Sequence, residues 1–220
     1  MKVRPCVVSV AEHAGWAHLV CVAASDGVPA VIARRRVTLI DPGVPKMPYE
    51  HDSIGLRNAE ADALVARVRR SVGACTALAL EHVVTDLSPT HAAVALAIRK
   101  PPFPALPGTV REVRGSYRLQ CAADGMLYQL AICHAARQLG LDVQLCPRGD
   151  EAALAAERLG VTPGDVEAFV AGGGRPAGPP WTAEHRRAYA AGIAALATHA
   201  RPSLAISASG RRPPGDRTRR

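Results

Sequence analysis

The chain has 220 residues and a net charge of +8, and 48% of its residues are hydrophobic whereas only 4% are aromatic. This length suffices for one large domain or two small ones, and most of the chain is expected to fold. Six cysteines, none in a Cys-x-x-Cys pair, argue against a zinc site or a disulfide framework. No apolar run reaches the roughly 18 residues of a transmembrane helix. With no secretory signal pattern at its start, the chain is expected in the reducing cytoplasm.

Three strand patterns open the chain. Val7–Val10 is a short apolar run typical of a buried strand, Trp16–Val22 is a second such run, and Val28–Ile40 continues after an Asp-Gly turn. Glu12 lies where the first buried strand ends and the chain turns back. This acidic residue is therefore the first candidate for a functional role.

Helix and strand patterns alternate after a proline-rich loop at residues 41–52. Helical periodicity begins near Asn58 and continues to about Leu80. The run Val94–Ile98 is apolar throughout, as in a central parallel strand. The other predicted elements are a helix at 110–139, a strand at 141–146, and helices at 150–159, from 162 to before 172, and at 183–199.

Motifs in three parts of the chain follow one order. Near the start, a strand that ends in Glu12 precedes a glycine and an aromatic residue, Gly15 and Trp16. Residues 94–147 contain a strand, a loop, a long helix, and a strand followed by proline. Near the end, a glycine-rich stretch at 172–174 precedes an Ala-rich helix that carries two possible ligands, Glu184 and His185. Together these features resemble the ribonuclease H-like superfamily, and within it the RuvC-type resolvase branch. Three short segments also resemble a group of uncharacterised bacterial proteins, which implies no function.

The resemblance implies an α/β fold with a mixed β-sheet, in which a three-stranded antiparallel start joins two parallel strands and helices cover both faces. The first strand should pair with the second and run parallel to the fourth. Residues 1–200 would form a single domain. Residues 201–220 are expected to be a disordered basic tail that binds polyanions, because residues 211–220 include five arginines and one aspartate.

The superfamily's chemistry is phosphodiester hydrolysis by two Mg²⁺ ions held by clustered carboxylates. On this resemblance Glu12 and Glu184 would bind metal, His185 would bind metal or transfer protons, and Asp124 on the long helix is a further catalytic candidate. The sequence departs from the pattern at the end of the fourth strand. The superfamily has a second acidic residue there, and this chain has Arg99 followed by Lys100. A cation at that position would repel a metal ion.

Three functions remain open at this stage. The first is a divergent Mg²⁺-dependent nuclease with an incomplete carboxylate set. The second is a catalytically silent module that binds nucleic acid and no membrane. Its predicted contacts are Arg99, Lys100, Arg111, Arg114 and Arg118. The third is an actin-like nucleotide binder, which would need a glycine-rich phosphate loop between a strand and a helix. Structural roles also remain open, since Glu184 in the first turn of a helix complements the helix dipole without any ligand.

Overall fold

The computed structural model describes residues 3–102, 105–173 and 178–200. The strands are β1 (Arg4–His13), β2 (Trp16–Ser25), β3 (Val28–Thr38), β4 (His91–Arg99) and β5 (Asp142–Cys146). The helices are α1 (Asn58–Leu87), α2 (Val110–Arg114), α3 (Tyr117–Gln138), α4 (Glu151–Leu159), α5 (Pro163–Gly172) and α6 (Ala183–His199). The predicted basic tail at 201–220 lies outside the described residues. Within those residues, no helix combines the length and the apolar character needed to cross a membrane.

The five strands form one mixed sheet in the order β3-β2-β1-β4-β5. β1 pairs antiparallel with β2, which pairs antiparallel with β3, whereas β1, β4 and β5 run parallel to one another. Val7 shows the central position of β1, since it is paired with Val22 on one side and Ala95 on the other. The predicted mixed sheet and the predicted partners of the first strand are therefore confirmed.

Alternate side chains of β1 enter two separate cores. Val8 and Val10 pack with the core beneath α1 and α3, whereas Val7 packs with the core beneath α4, α5 and α6. Successive side chains of a strand point to opposite faces, so a buried central strand must be apolar on both. This packing explains the continuous apolar run of β1 and confirms the prediction of helices on both faces.

Two helix boundaries differ from the sequence prediction. The first helix continues to Leu87, because Val83 and Leu87 extend its buried apolar stripe beyond Leu80. The predicted helix at 110–139 is two helices, α2 and α3. The helix is broken because Ser116, the N-cap residue of α3, has an extended backbone with φ −142° and ψ 121°.

Helix α6 lies very close to the sheet at Gly192. A Cβ atom built on this glycine would be 2.6 Å from Val22 Cγ2 and 3.2 Å from Ser9 Cβ. Real carbon atoms do not approach so closely, so even an alanine would force α6 away from β1 and β2. The small residues of α6 thus allow the close contact that sets the position of its first turn.

Gly192→Ala should destabilise the protein by about 1–3 kcal/mol, because overpacking moves a helix that is fixed by its core contacts. Gly125→Ala is the matched control, since Gly125 is also helical but has no neighbouring atom within 4 Å of the added Cβ. The control should stabilise the protein by about 0.5–1 kcal/mol through helix propensity. Urea unfolding measures both values, and an equal effect of the two changes would contradict the close packing.

Candidate functional site

A cavity of about 110 Å³ lies at the edge of the sheet where β1, β4 and β5 end. The three strands are parallel, so their carboxyl ends share this edge, which is where open α/β sheets usually bind ligands. The cavity is closed on one side by the starts of α4 and α6. Its charged lining consists of three carboxylates, three guanidinium groups and one imidazole, from Glu12, Glu151, Glu184, Arg99, Arg148, Arg187 and His13.

Glu12 and Arg99 form an ion pair between the ends of β1 and β4, in which the carboxylate is buried and the side chain of Arg99 is 28% exposed. Arg99 Nη2 and Nε donate to Glu12 Oε1 at 2.6 and 3.1 Å, and Nη2 also donates to the main-chain oxygen of Glu12 at 3.3 Å. Gln129 Nε2 of α3 donates to the same Oε1 at 2.7 Å. The side chain of Glu12 is only 6% exposed. Its charge therefore depends on Arg99 for compensation.

Two other carboxylate oxygens of the cavity residues are buried without a partner. Among the described residues, neither Glu12 Oε2 nor Glu151 Oε1 has a hydrogen-bond partner. Glu12 is 7% exposed and Glu151 is 4% exposed. A buried acceptor without a donor costs about 1–3 kcal/mol, and more when it is charged. Such atoms are uncommon in native proteins. Both oxygens have almost no accessible surface, so a ligand in the cavity could reach them only after neighbouring side chains move.

The outer part of the cavity contains one paired acid and two free arginines. Glu184 Oε2 lies 2.9 Å from His13 Nε2, and the His13 ring stacks on Trp16 with ring centroids 3.9 Å apart. Arg148 and Arg187 are exposed. Within the described part of the chain, neither guanidinium group has a hydrogen-bond or ion-pair partner. These two groups are therefore free to bind an incoming anion.

His185 points away from the cavity into the protein. It is 1% exposed, and its ring centroid lies 4.1 Å from that of His18 and 5.5 Å from that of Trp181. Its Nδ1 accepts a hydrogen bond from the main-chain N–H of Thr182, which is the N-cap residue of α6. Burial, together with nearby His18 and Arg34, lowers the pKa of His185 to about 4. This side chain serves the start of the helix and does not line the cavity.

Asp124 also lies away from the cavity, where it holds the loop at residues 41–56. Its Oδ1 and Oδ2 accept hydrogen bonds from the main-chain N–H groups of Tyr49 and Glu50 at 3.0 and 2.9 Å. Burial raises the pKa of the Asp124 carboxyl group to about 6, although these two hydrogen bonds oppose the rise. Tyr128, one turn along α3, donates to the carbonyl oxygen of Lys46. These contacts give Asp124 a structural role in fixing the loop.

The predicted basic contacts fall in different places. Arg114 donates to the carbonyl oxygens of Ser53 and Leu56 and to Asn58 Oδ1, so it fixes the same loop. Arg111 lies on α2 and Arg118 on α3, and neither lines the cavity of Glu12. The exposed Lys100 follows Arg99, and its main-chain N–H continues the pairing of β4 with β5. Of the five predicted contacts, only Arg99 lines the cavity.

Comparison with known proteins identifies the fold. No family model matches the sequence, and no curated protein matches it. A structure of Thermus thermophilus RuvC is similar, with a TM-score of 0.52 at 13% identity over 88% of this chain and 95% of that chain. The same organism's RuvC in complex with a Holliday junction substrate gives a TM-score of 0.51 at 14% identity over 88% and 94% of the two chains. The chain has a ribonuclease H-like fold of the RuvC type.

The RuvC-type fold implies divalent metal ions, but the residues at this edge do not suit a two-metal centre. Arg99 stands where the resemblance implies a second carboxylate, and its guanidinium group already binds Glu12. Within residues 3–102, 105–173 and 178–200, no group of three or more His, Cys, Asp or Glu side chains is arranged to hold a metal ion. A cation could approach Glu12 Oε1 only by displacing Arg99 and Gln129.

Several cavity residues were absent from the sequence prediction. Arg148 and Glu151 directly follow β5, so the rule that ligands gather at the carboxyl ends of parallel strands would have indicated them. Arg187 lies one helical turn after Glu184, and that spacing places both side chains on one face of α6. No pattern points to Gln129, because its contact with Glu12 depends on how α3 is rotated against β1. His13 has no ligand-like spacing to other histidines, so the sequence indicates only a structural role for it.

Arg99→Met should destabilise the protein by about 3–5 kcal/mol, because it leaves the buried carboxylate of Glu12 without a counter-charge. In a Glu12→Gln background the same change should cost clearly less, since no charge remains to be compensated. Urea unfolding of both single variants and the double variant gives the coupling energy, which should exceed about 1 kcal/mol. Additive effects would show that the ion pair contributes little.

His185 should make the protein less stable as the pH falls. Its pKa is about 4 in the folded protein against about 6.5 in the unfolded chain, so the unfolded state binds more protons between these values. Between pH 7 and pH 5, His185→Gln should lose about 2 kcal/mol less stability than the original chain. Glutamine retains the capping pattern at this helix position. Identical pH dependence of unfolding in the two proteins would contradict the lowered pKa.

Proposed function

We propose that the chain binds nucleic acid at the cavity edge of its sheet and does not hydrolyse it by a two-metal mechanism. The observation that carries this proposal is the ion pair between the buried carboxylate of Glu12 and the partly exposed Arg99. In this pair a fixed guanidinium charge occupies the position of an expected metal-binding carboxylate. The guanidinium group of an arginine stays charged at every relevant pH and can donate hydrogen bonds to two carboxylate or phosphate oxygens at once. It thus replaces the positive charge of a metal but generates no attacking water.

The surroundings of the cavity support contact with a phosphate backbone. Arg148 and Arg187 are exposed at the cavity without partners among the described residues. Lys100 is exposed where β4 ends, outside the cavity lining. Guanidinium groups form paired hydrogen bonds with phosphate oxygens. The net charge of +8 adds a long-range attraction for polyanions. RuvC of the same fold type has been captured with a Holliday junction substrate, and we extend nucleic-acid binding to this chain on that likeness.

A divergent Mg²⁺-dependent nuclease is the second candidate. The observation that favours it is the presence of three carboxylates, Glu12, Glu151 and Glu184, around one cavity. Glu12 Oε2 and Glu151 Oε1 are without partners among the described residues, but they have almost no accessible surface and could serve as oxygen ligands only after neighbouring side chains move. This candidate requires Arg99 to move away from Glu12, so the ion pair argues against it.

Replacing Arg148 and Arg187 together by glutamine should weaken binding of a short duplex and of a single strand. The slope of log affinity against log salt should fall by about 1 for each phosphate that the variant no longer neutralises. Arg70→Gln is the matched control, because Arg70 is an exposed arginine on α1, which covers the other face of the sheet. Binding is measured by fluorescence anisotropy at several salt concentrations, on the full chain and on a chain ending at Pro202.

The control should leave the salt slope unchanged, and the shorter chain isolates any contribution of the basic tail. Equal slopes for the original chain and the double variant would overturn this edge as the binding surface. In the same samples Mg²⁺ or Mn²⁺ should produce no cleavage above that of Glu12→Gln. The nuclease would be favoured instead if calorimetry detects Mg²⁺ binding, if Mg²⁺ supports cleavage, and if Glu12→Gln abolishes both.

A further inference from the structure

A further cavity lies between β3 and the last turns of α1, next to the start of β4. Its volume is about 200 Å³, and it shares no lining residue with the cavity of Glu12. We infer that this cavity binds a small aliphatic amino acid as a zwitterion. Arg35 binds the carboxylate of the ligand, and Asp86 binds its ammonium group. The inference is independent of the proposed nucleic-acid binding, because it concerns a different site and a different ligand.

Three consecutive arginines occur in β3, and two of them are used by the fold. Arg34 donates to the carbonyl oxygens of residues 178–180, and the guanidinium group of Arg36 lies 4.4 Å from the centre of the Trp16 ring. Arg35 lies between these two, on the opposite face of the strand, where it is exposed and lines the cavity. Within the described part of the chain, its side chain makes one hydrogen bond, from Nη1 to the main-chain oxygen of Arg34 at 3.3 Å. Most of its donors are therefore available to a ligand.

Asp86 brings the opposite charge to the same cavity. It is exposed in the last turn of α1. Among the described residues, its carboxylate has no hydrogen-bond or ion-pair partner. The C-terminal end of a helix carries a partial negative charge, and the last turn of α1 contains no basic residue. A carboxylate at this end of the helix therefore favours the binding of a cation.

The two charges of the cavity do not neutralise each other. Arg35 and Asp86 both line it, yet they form no ion pair with one another. His91 adds no charge near pH 7, because burial and the nearby Arg4 lower the pKa of its imidazole. A ligand with one charge would be attracted by one group and repelled by the other. A zwitterion gives a charge-assisted hydrogen bond to each.

The rest of the lining is mainly aliphatic. Ile32, Ala33, Val83 and Leu87 provide apolar surface, and the last two belong to the core beneath α1 and α3. Core side chains are fixed in position, and small-molecule sites commonly combine such apolar walls with a few polar groups. The volume of about 200 Å³ equals that of roughly seven water molecules. A ligand of the size of valine matches this volume.

The test uses valine and three probes that each lack one of its features. Isobutylamine lacks the carboxylate, 3-methylbutanoate lacks the ammonium group, and glycine lacks the aliphatic side chain. Binding to the full-length chain is followed by the NMR shifts of the methyl groups of Ile32, Val83 and Leu87, which also locate the site. Each probe should bind at least about tenfold more weakly than valine, as expected for the loss of a contact with a charged group or of a buried side chain.

Two variants assign the two charges. Arg35→Gln should bind valine and isobutylamine with similar affinity, because the carboxylate of valine has lost its partner. Asp86→Asn should likewise bind valine and 3-methylbutanoate with similar affinity. Arg70→Gln and Asp62→Asn are the matched controls, since both residues are exposed on α1 and lie outside the cavity lining. Both controls should leave all affinities unchanged, and thermal unfolding checks that the four variants remain folded.

Four outcomes would overturn the inference while the proposed nucleic-acid binding stands. The first is the absence of methyl shifts with valine. The second is binding of 3-methylbutanoate as tightly as valine, which would show a simple anion site at Arg35. The third is equally tight binding of isobutylamine, which would show a simple cation site at Asp86. The fourth is selectivity for valine that survives both Arg35→Gln and Asp86→Asn, because the ligand would then lie elsewhere.

Discussion

The parallel pairing of β1 with β4 is the constraint on which the rest of the structure depends. It places the last residues of β1 and β4 side by side, so Glu12 and Arg99 meet although 86 residues separate them along the chain. The pairing of β4 with β5 then brings Arg148 and Glu151 to the same edge. The close packing of α6 on the sheet at Gly192 completes the arrangement, because it holds Glu184 and Arg187 at the cavity.

The contact between Glu12 and Arg99 has consequences for both stability and chemistry. A buried ion pair contributes little net stability, because desolvation offsets most of the attraction, whereas loss of either partner is costly. Each residue is thus constrained by the other. With an aspartate in place of Arg99, this carboxylate and that of Glu12 would lie close together at one edge of the sheet and would need a cation between them. With an arginine, that need is met by the protein itself.

The fold could be predicted from the sequence because its signals are local. The apolar run of β1, the turn before β3 and the periodicity of α1 each indicate an element without knowledge of its neighbours. The ends of helices were less predictable. α1 continues beyond its predicted end, and Ser116 in an extended conformation separates α2 from α3 where periodicity alone predicted one continuous helix.

The candidate site could be predicted only in part. Glu12 and Arg99 were visible because they end strands that are parallel neighbours in the sheet. The inward orientation of His185 and the contact of Asp124 with the loop could not be predicted, since both depend on how a helix is rotated against the sheet. The periodicity of a helix indicates that it has a buried face, but it does not show which polar residues on that face find partners.

Several arginines that contribute to the positive net charge use their hydrogen-bond donors within the protein. Arg114 binds two carbonyl oxygens of the loop before α1, and Arg158 binds Gln144 Oε1 and the carbonyl oxygen of Ala194. Arg34 similarly donates to the carbonyl oxygens of Gly178, Pro179 and Pro180 before α6.

Arg34 and Arg114 thus fix irregular segments, and Arg158 joins β5 to α6. Each uses several donors, a role for which the planar guanidinium group is suited. They keep their charge and add to the long-range field, but their donors are used and cannot grip a phosphate. The net charge of +8 therefore overstates the surface that can bind a polyanion directly. Arg148 and Arg187 differ in that, among the described residues, their donors have no partner, and both line the cavity where β1, β4 and β5 end. Guanidinium donors without protein partners at one sheet edge therefore indicate an anionic ligand more directly than the net charge does.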